Sequence, residues 1–310
     1  KSKGIKLLRK YRKANIVNEF INKNSNIRAI FTDHWKSLEL LKKENLKKTK
    51  MFCLIHSKEI NHDKNSSINK RIIKSTNKAD FIIANSNFTR NLGIKIGIDE
   101  KKIYVINPGI NEPKKVENLS KIEAKKIFGE AFPKIITIAR LDKRKGHDKV
   151  LMLIKNLKPK FPKVKYVSIG SGEQEKNLIQ LSKELSLDRE VIFLKKIKED
   201  FKLALLAESN LFLMPTRKVH NSVEGFGISF IEAASYGISS IGGKEGGSSD
   251  AICHNKTGLI CDGSDLNSIY NSVTEIFQND KFIKFGKEAK NFSENFYWNK
   301  IVKKYLSLID

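Results

Sequence analysis

Ile135-Ile136-Thr137-Ile138-Ala139-Arg140-Leu141-Asp142-Lys143-Arg144-Lys145-Gly146 passes from an apolar run into a basic turn. Val150, Ile154 and Leu157 then share one helical face, with Lys149, Asn156 and Lys158 away from it. The same strand–turn–helix succession follows at once, with Leu178, Leu181 and Leu185 forming the next apolar stripe. Ten short apolar runs fit strands: Ile27–Phe31, Met51–His56, Phe81–Ala84, Ile103–Ile106, Ile135–Ala139, Val164–Ile169, Val191–Leu194, Leu211–Met214, Ser239–Gly242 and Gly258–Cys261. Strands that alternate with amphipathic helices imply parallel sheets covered on both faces.

Asn107-Pro108-Gly109-Ile110-Asn111-Glu112-Pro113 breaks this pattern, because its prolines and glycine suit neither strand nor helix. It separates an expected first domain, residues 1–107, from a second, 108–290, with a closing stretch, 291–310, that packs back on the first. The second domain holds six strand candidates, enough for a complete Rossmann-like unit; the first holds four, after a basic helix-like stretch from Ile5 to Ile21.

The chain has 310 residues, 40% of them hydrophobic, enough for two ordinary cores. Its formal net charge of +25 favours anionic partners: nucleotide phosphates, nucleic acid or acidic lipid. The excess is mostly Lys scattered among Ile and Asn, as an AT-rich genome gives, so solvated lysine faces explain it better than a dedicated polyanion site. Cys53, Cys253 and Cys261 form no close pair, which argues against a disulfide framework or a zinc site and for a reducing compartment. No apolar run approaches the roughly 20 residues that span a bilayer. No signal peptide is visible.

Val223-Glu224-Gly225-Phe226-Gly227-Ile228-Ser229-Phe230-Ile231-Glu232 carries the strongest chemical signal. Two glycines let backbone approach a ligand, and a helix starting near Gly227 turns free amides and a positive dipole end towards an anion. Glu232, further along that helix, suits a ribose diol, and Glu224 suits donor-sugar hydroxyls. Arg140 and Lys145 follow a strand end and can neutralise a diphosphate, Arg by a fork of hydrogen bonds and Lys as a point charge. Gly170, in Ile169-Gly170-Ser171-Gly172-Glu173, marks close backbone packing and is a candidate donor-binding position. Gly242-Gly243-Lys244-Glu245-Gly246-Gly247-Ser248-Ser249-Asp250 is a candidate phosphate-binding nest. His56 ends a strand, where it can donate to or orient a sugar; Asp33 and His34 are similar candidates. No histidines and acids cluster at metal-ligand spacing, and no nucleophile elbow or Walker loop is present.

Taken in order, these segments resemble glycosyltransferase family 4, the retaining enzymes of GT-B fold. Glu224 and Glu232 match its Glu–seven residues–Glu motif, and Ala139-Arg140-Leu141…Lys145-Gly146 is similar to its Gly-Arg-Leu…Lys-Gly segment. Further likenesses are Ala79-Asp80…Ser86, Pro108-Gly109-Ile110-Asn111, Gly246-Gly247…Asp250, Thr257-Gly258 and Phe292-Ser293…Trp298. Two departures stand out: Lys195-Lys196 replaces a glycine common after the third strand of the second domain, and Asp250 stands where Glu is usual.

The resemblance implies two Rossmann-like domains with parallel sheets facing across a cleft. The donor lies between them, its nucleotide mostly on the second. Arg140 and Lys145 hold the diphosphate, and Glu232 holds the ribose. Glu224, with the Gly225, Phe226, Gly227 and Ile228 backbone, holds the sugar, with His56 beside it. The implied reaction moves a hexose from GDP-mannose or a UDP-sugar to a lipid-linked or polysaccharide acceptor with retention, most like bacterial mannosyltransferases. It needs no metal or other cofactor and no nucleic acid. A cytoplasmic place follows, with peripheral contact to the anionic inner face of the membrane. By family length the first domain is N-terminally truncated, lacking its first strand and glycine-rich loop, well over one strand–helix unit of about 30 residues. The alternatives are another GT-B enzyme, such as a nucleotide-sugar epimerase or a phosphorylase, and a non-catalytic polyanion-binding protein that kept the fold.

Overall fold

All ten apolar runs are strands in the structure, a computed structural model that describes residues 6–24, 26–42 and 49–310. Of the basic opening stretch, Lys1, Lys3 and Ile5 lie outside the described residues, and the helix Lys6–Lys23 follows them. The chain divides into two units, Lys1–Asn107 with Val302–Asp310, and Pro108–Ile301.

In the first unit β1 (Ala29–Thr32), β2 (Lys50–Ile55), β3 (Phe81–Ala84) and β4 (Ile103–Val105) lie parallel in chain order. Side chains alternate between the two faces of a strand. Phe52 is therefore buried on one face, stacked against Phe31 at 4.4 Å and Phe81 at 4.9 Å. Cys53, Ile55 and Ile82 point to the other, among Trp35, Leu38, Ile72 and Ile96. The end of the last helix, Trp298–Ile309, joins the aromatic face: Tyr305 meets Phe31 edge-on at 5.7 Å. Lys50 Nζ donates to the carbonyls of Leu308 at 3.2 Å and Ile309 at 2.7 Å, satisfying acceptors that a helix end leaves without partners.

The second unit holds β5 (Lys134–Ile138), β6 (Lys165–Ile169), β7 (Val191–Leu194), β8 (Leu211–Met214), β9 (Ser240–Gly243) and β10 (Gly258–Cys261). Their order is β10-β9-β8-β5-β6-β7, all parallel. The sheet thus grows in two directions from β5, with β6 on one side and β8 on the other. Crossovers leave that point on opposite faces, which opens a crevice at the strands' C-terminal ends between β5 and β8. Val150, Ile154, Leu157, Ile269 and Val273 cover one face. Phe128, Ala204, Leu205, Phe230 and Ile231 cover the other.

Small differences from the sequence reading have local causes. The second strand stops at Ile55, and His56 becomes the residue that opens the short helix Ser57–Ile60. Residues 291–301 belong to the second unit rather than to a returning tail. The Ile110 N–H donates to Phe296 O at 2.8 Å, the Trp298 N–H donates to Ile110 O at 3.0 Å, and a Cβ on Gly109 would come within 2.5 Å of the Trp298 ring.

His147 opens the helix His147–Leu157 and is only 1% exposed. Its Nε2 lies 3.2 Å from Arg140 O, and Ser168 Oγ lies 3.2 Å from its Nδ1. Burial pushes its pKa down to about 4. An unfolded histidine titrates near its ordinary value of 6.5, so between these values the unfolded chain binds a proton that the folded chain rejects. Stability of this unit should therefore fall as pH drops from 6.5 towards 4, by an amount on the order of 3 kcal/mol from this group. Urea denaturation at stepped pH checks this: His147→Gln should reduce the slope, and an unchanged slope would count against it.

Candidate functional site

The crevice of the second unit is built on one carboxylate. Glu224, buried in the loop after β8, accepts from Arg144 Nη1 at 2.6 Å and Lys145 Nζ at 2.5 Å, both in the turn after β5. Burial by itself raises a carboxyl pKa, but Lys145 and Arg144 outweigh it and hold Glu224 below the ordinary value. The two turns are stitched again by Arg217. Its N–H donates to Arg144 O at 3.0 Å, and its Nη2 reaches both oxygens of Asp148 at 3.0 and 2.8 Å. Gly146 permits this approach, with φ +78° and no room for a Cβ, which would lie 2.4 Å from Pro215 O.

Behind Glu224, Gly227 has φ +86° and precedes the helix Ile228–Ser235. Ile228 is exposed at its first position, and Phe226 is buried in the core, so only the Phe226 backbone can serve a ligand. Part of the stretch read as a phosphate nest is used for packing and pairing. Gly242 and Gly243 end in β9, and a Cβ on Gly243 would strike Thr216 O at 1.7 Å, so packing demands that glycine. The Gly247 amide is already used, donating to Glu224 O at 2.9 Å. Gly170 and Gly172 are packing positions too: their Cβ atoms would lie 1.9 Å from Ala139 O and 2.4 Å from Leu141 O.

Arg140 is exposed at the start of this turn, with Lys145 committed to Glu224. Glu232 does not join that cluster. It lines a cavity of about 110 Å³ with Asn111, Glu112, Lys114, Glu199 and Tyr236. Burial raises its pKa. The structure therefore brings Lys145 and Glu224 together and gives Glu232 separate surroundings in the same unit.

In the first unit His56, Asp33 and His34 meet where β1 and β2 end. The His56 ring is hydrogen-bonded to the Asp33 backbone, and its Nδ1 is 3.5 Å from Asn85 Nδ2. Burial lowers the pKa of His56 and of His34. Asn85 Oδ1, at the end of β3, is buried with no hydrogen-bond partner. Among the described residues no group of three or more His, Cys, Asp or Glu is placed to hold a metal, and Cys53, Cys253 and Cys261 are free thiols.

Sequence reasoning missed Arg144, Arg217, Asp148 and Asn85. Arg144 stood in the quoted basic turn, but which of its cations meets Glu224 depends on the 3-10 turn Lys143–Lys145. Arg144→Ala should destabilise the second unit by about 1.5–3 kcal/mol at pH 7, the range for a lost hydrogen bond to a charge. The loss should shrink at a pH below the depressed Glu224 value, where a protonated Glu224 no longer needs its cations. Denaturant melts at both values test this, and equal losses would mean that the ion pair is not the cause.

The family model of Glycosyl transferases group 1 matches residues 119–297, and that of Glycosyltransferase Family 4 matches residues 6–113. A GDP-mannose-dependent alpha-(1-6)-phosphatidylinositol monomannoside mannosyltransferase of Mycobacterium tuberculosis is 26% identical over 232 residues, covering 73% of this chain and 59% of that protein. The chain thus spans less than two thirds of this relative's length. A related enzyme of Corynebacterium glutamicum, a GDP-mannose-dependent monoacylated alpha-(1-6)-phosphatidylinositol monomannoside mannosyltransferase, is 29% identical over 182 residues, 58% of this chain and 45% of its own. Among solved structures, HepE of Anabaena in complex with UDP superposes with a TM-score of 0.81 at 19% identity, covering 96% of this chain and 82% of its own. A glycosyltransferase from Rickettsia africae does so at 0.81 and 20% identity, covering 100% and 83%. The fold is that of the GT-B glycosyltransferases, two parallel-sheet α/β units. With the Glu224–Lys145 pair at the switch point of the second sheet and a family match over most of that unit, the chain belongs to the group 1 glycosyltransferases.

Proposed function

We propose that this glycosyltransferase moves a hexose from a nucleotide diphosphate sugar to a lipid-linked or polysaccharide acceptor, with retention at the anomeric carbon. The observation that carries the reading is the cationic turn after β5 held against Glu224 at the sheet's switch point. Arg140 and Lys145 take the diphosphate, and Glu232 takes the ribose. As the diphosphate draws Lys145, Arg144 keeps Glu224 ionised to accept from sugar hydroxyls. His56, beside the sugar, donates to one of its oxygens. The acceptor hydroxyl attacks the anomeric carbon on the face the diphosphate leaves. The carbon–oxygen bond to the β-phosphate breaks, and the hydroxyl proton passes to the departing diphosphate oxygen. The step needs no metal. Relatives named for GDP-mannose and a neighbour bound to UDP support those two nucleotides as first candidates.

A groove of about 880 Å³ in the first unit supports an amphiphilic acceptor. It is lined by apolar Ala14, Val17, Ile30 and Leu40 and by the cations Lys13 and Lys36. Tyr11, Ile16 and Phe20 are exposed on the helix Lys6–Lys23 among Arg12 and Lys13, a pattern suited to an anionic lipid surface. No described helix is long and apolar enough to cross a membrane. Co-sedimentation with vesicles should give binding to phosphatidylserine vesicles at low salt that fades as salt rises, since each basic residue near such a surface adds about 1 kcal/mol. Equal pelleting with neutral and acidic vesicles would count against it.

Calorimetry with UDP, GDP, UDP-glucose and GDP-mannose tests the donor site. Arg140→Ala and Glu232→Ala should each weaken nucleotide binding by about 1.5–3 kcal/mol. Glu224→Ala should weaken the sugar nucleotide more than the free nucleotide. Equal loss for both would remove Glu224 from the sugar site. Salt-sensitive DNA binding without nucleotide binding would favour the non-catalytic alternative.

A further inference from the structure

Glu59 lies outside every role assigned so far, yet it joins the ends of two strands. It is the third residue of the helix Ser57–Ile60, directly after β2. Its Oε1 accepts from the His56 N–H at 3.0 Å. Its Oε2 lies 2.8 Å from His34 Nε2, at the end of β1. The His34 tautomer follows from the other ring nitrogen: Nδ1 accepts from the Lys36 N–H at 3.0 Å, so the proton sits on Nε2 and is donated to Glu59. One carboxylate therefore holds the backbone of the candidate sugar-binding histidine and the ring of its neighbour. Trp35 Nε1 separately donates to Glu59 O at 3.3 Å, so the short helix keeps an anchor that does not involve the carboxylate.

We infer that Glu59 is a positioning residue for His56, fixing through His34 the angle at which the His56 ring leaves the sheet. The inference rests on the proposed role of His56 at the donor sugar. It accounts for a partly buried carboxylate that no cation pairs closely. The groups facing it are Asp33, His34 and Lys36 from the turn after β1, with Cys53 from β2 and His56 directly after it. Burial pushes the Glu59 carboxyl up to about 7. Both of its partners are N–H donors, so protonation removes one acceptor and loosens one of the two ties.

The test measures release of nucleoside diphosphate from UDP-glucose or GDP-mannose, whichever the full chain binds, as a function of pH. Glu59→Ala should slow release about tenfold, the lower end of what one hydrogen bond to a charged group contributes, with KM for the sugar nucleotide within about twofold. Glu59→Gln keeps one acceptor and should fall between, losing the rise in rate through pH 7 while keeping any limb set by His56. Wild-type rate and profile in both variants, while His56→Ala is slow, would overturn the positioning role and leave the reading of His56 standing. An undiminished rate in His56→Ala would overturn that reading, and the inference with it. Imidazole NMR of the unaltered chain gives an independent check that needs no variant. His34 should carry its proton on Nε2 and sense a titration near pH 7; a proton on Nδ1 would overturn the inference.

Discussion

A carboxylate removed from water must be compensated, and Glu224 sets that condition for the second unit. Leaving it buried and alone would cost several kcal/mol. Two cations from the turn after β5 meet it, and this obliges the turns after β5 and β8 to approach each other. The remaining details of the crevice follow from that approach. Gly146 has no side chain because Pro215 occupies the space, and Gly246 has none because Glu224 O lies 2.3 Å from where its Cβ would be. Arg217 clasps Asp148 across the same seam. The cluster is preorganised with its charges paired.

The first unit meets the same difficulty with fewer charges. Parallel strands end together, so the polar residues that follow β1, β2 and β3 gather at one edge of the sheet. His34, His56, Glu59 and Asn85 are the result, tied mainly by hydrogen bonds. The aromatic face of Phe31, Phe52 and Phe81 and the core below Cys53 leave these ends little freedom to move.

Some of the cations behind the formal net charge of +25 are held within the fold. At the crevice Arg217 pairs with Asp148, and Arg144 and Lys145 share Glu224. A few others are structural: Lys78 Nζ donates to the carbonyls of Leu38, Glu39 and Leu41, and Lys50 closes the last helix.

Alternation of apolar runs with helical stripes was enough to predict ten strands and the parallel α/β class, because a residue's side-chain direction follows locally from the period of its element. The spacing of Glu224 and Glu232 was legible for the same reason: both belong to one short loop-and-helix segment. Boundaries were less legible. His56 left its strand because the helix Ser57–Ile60 needed a starting residue, and residues 291–301 joined the second unit through Phe296 and Trp298. The partners of the charged groups were not legible at all. Arg144 with Glu224 and His34 with Glu59 lie on different strand–turn segments, and only sheet order and register bring them together. Sequence by itself determined which elements form and which residues stand at their ends. Tertiary structure alone decided which of those residues touch, because a hydrogen bond or ion pair depends on distances of about 3 Å that no periodicity along the chain encodes.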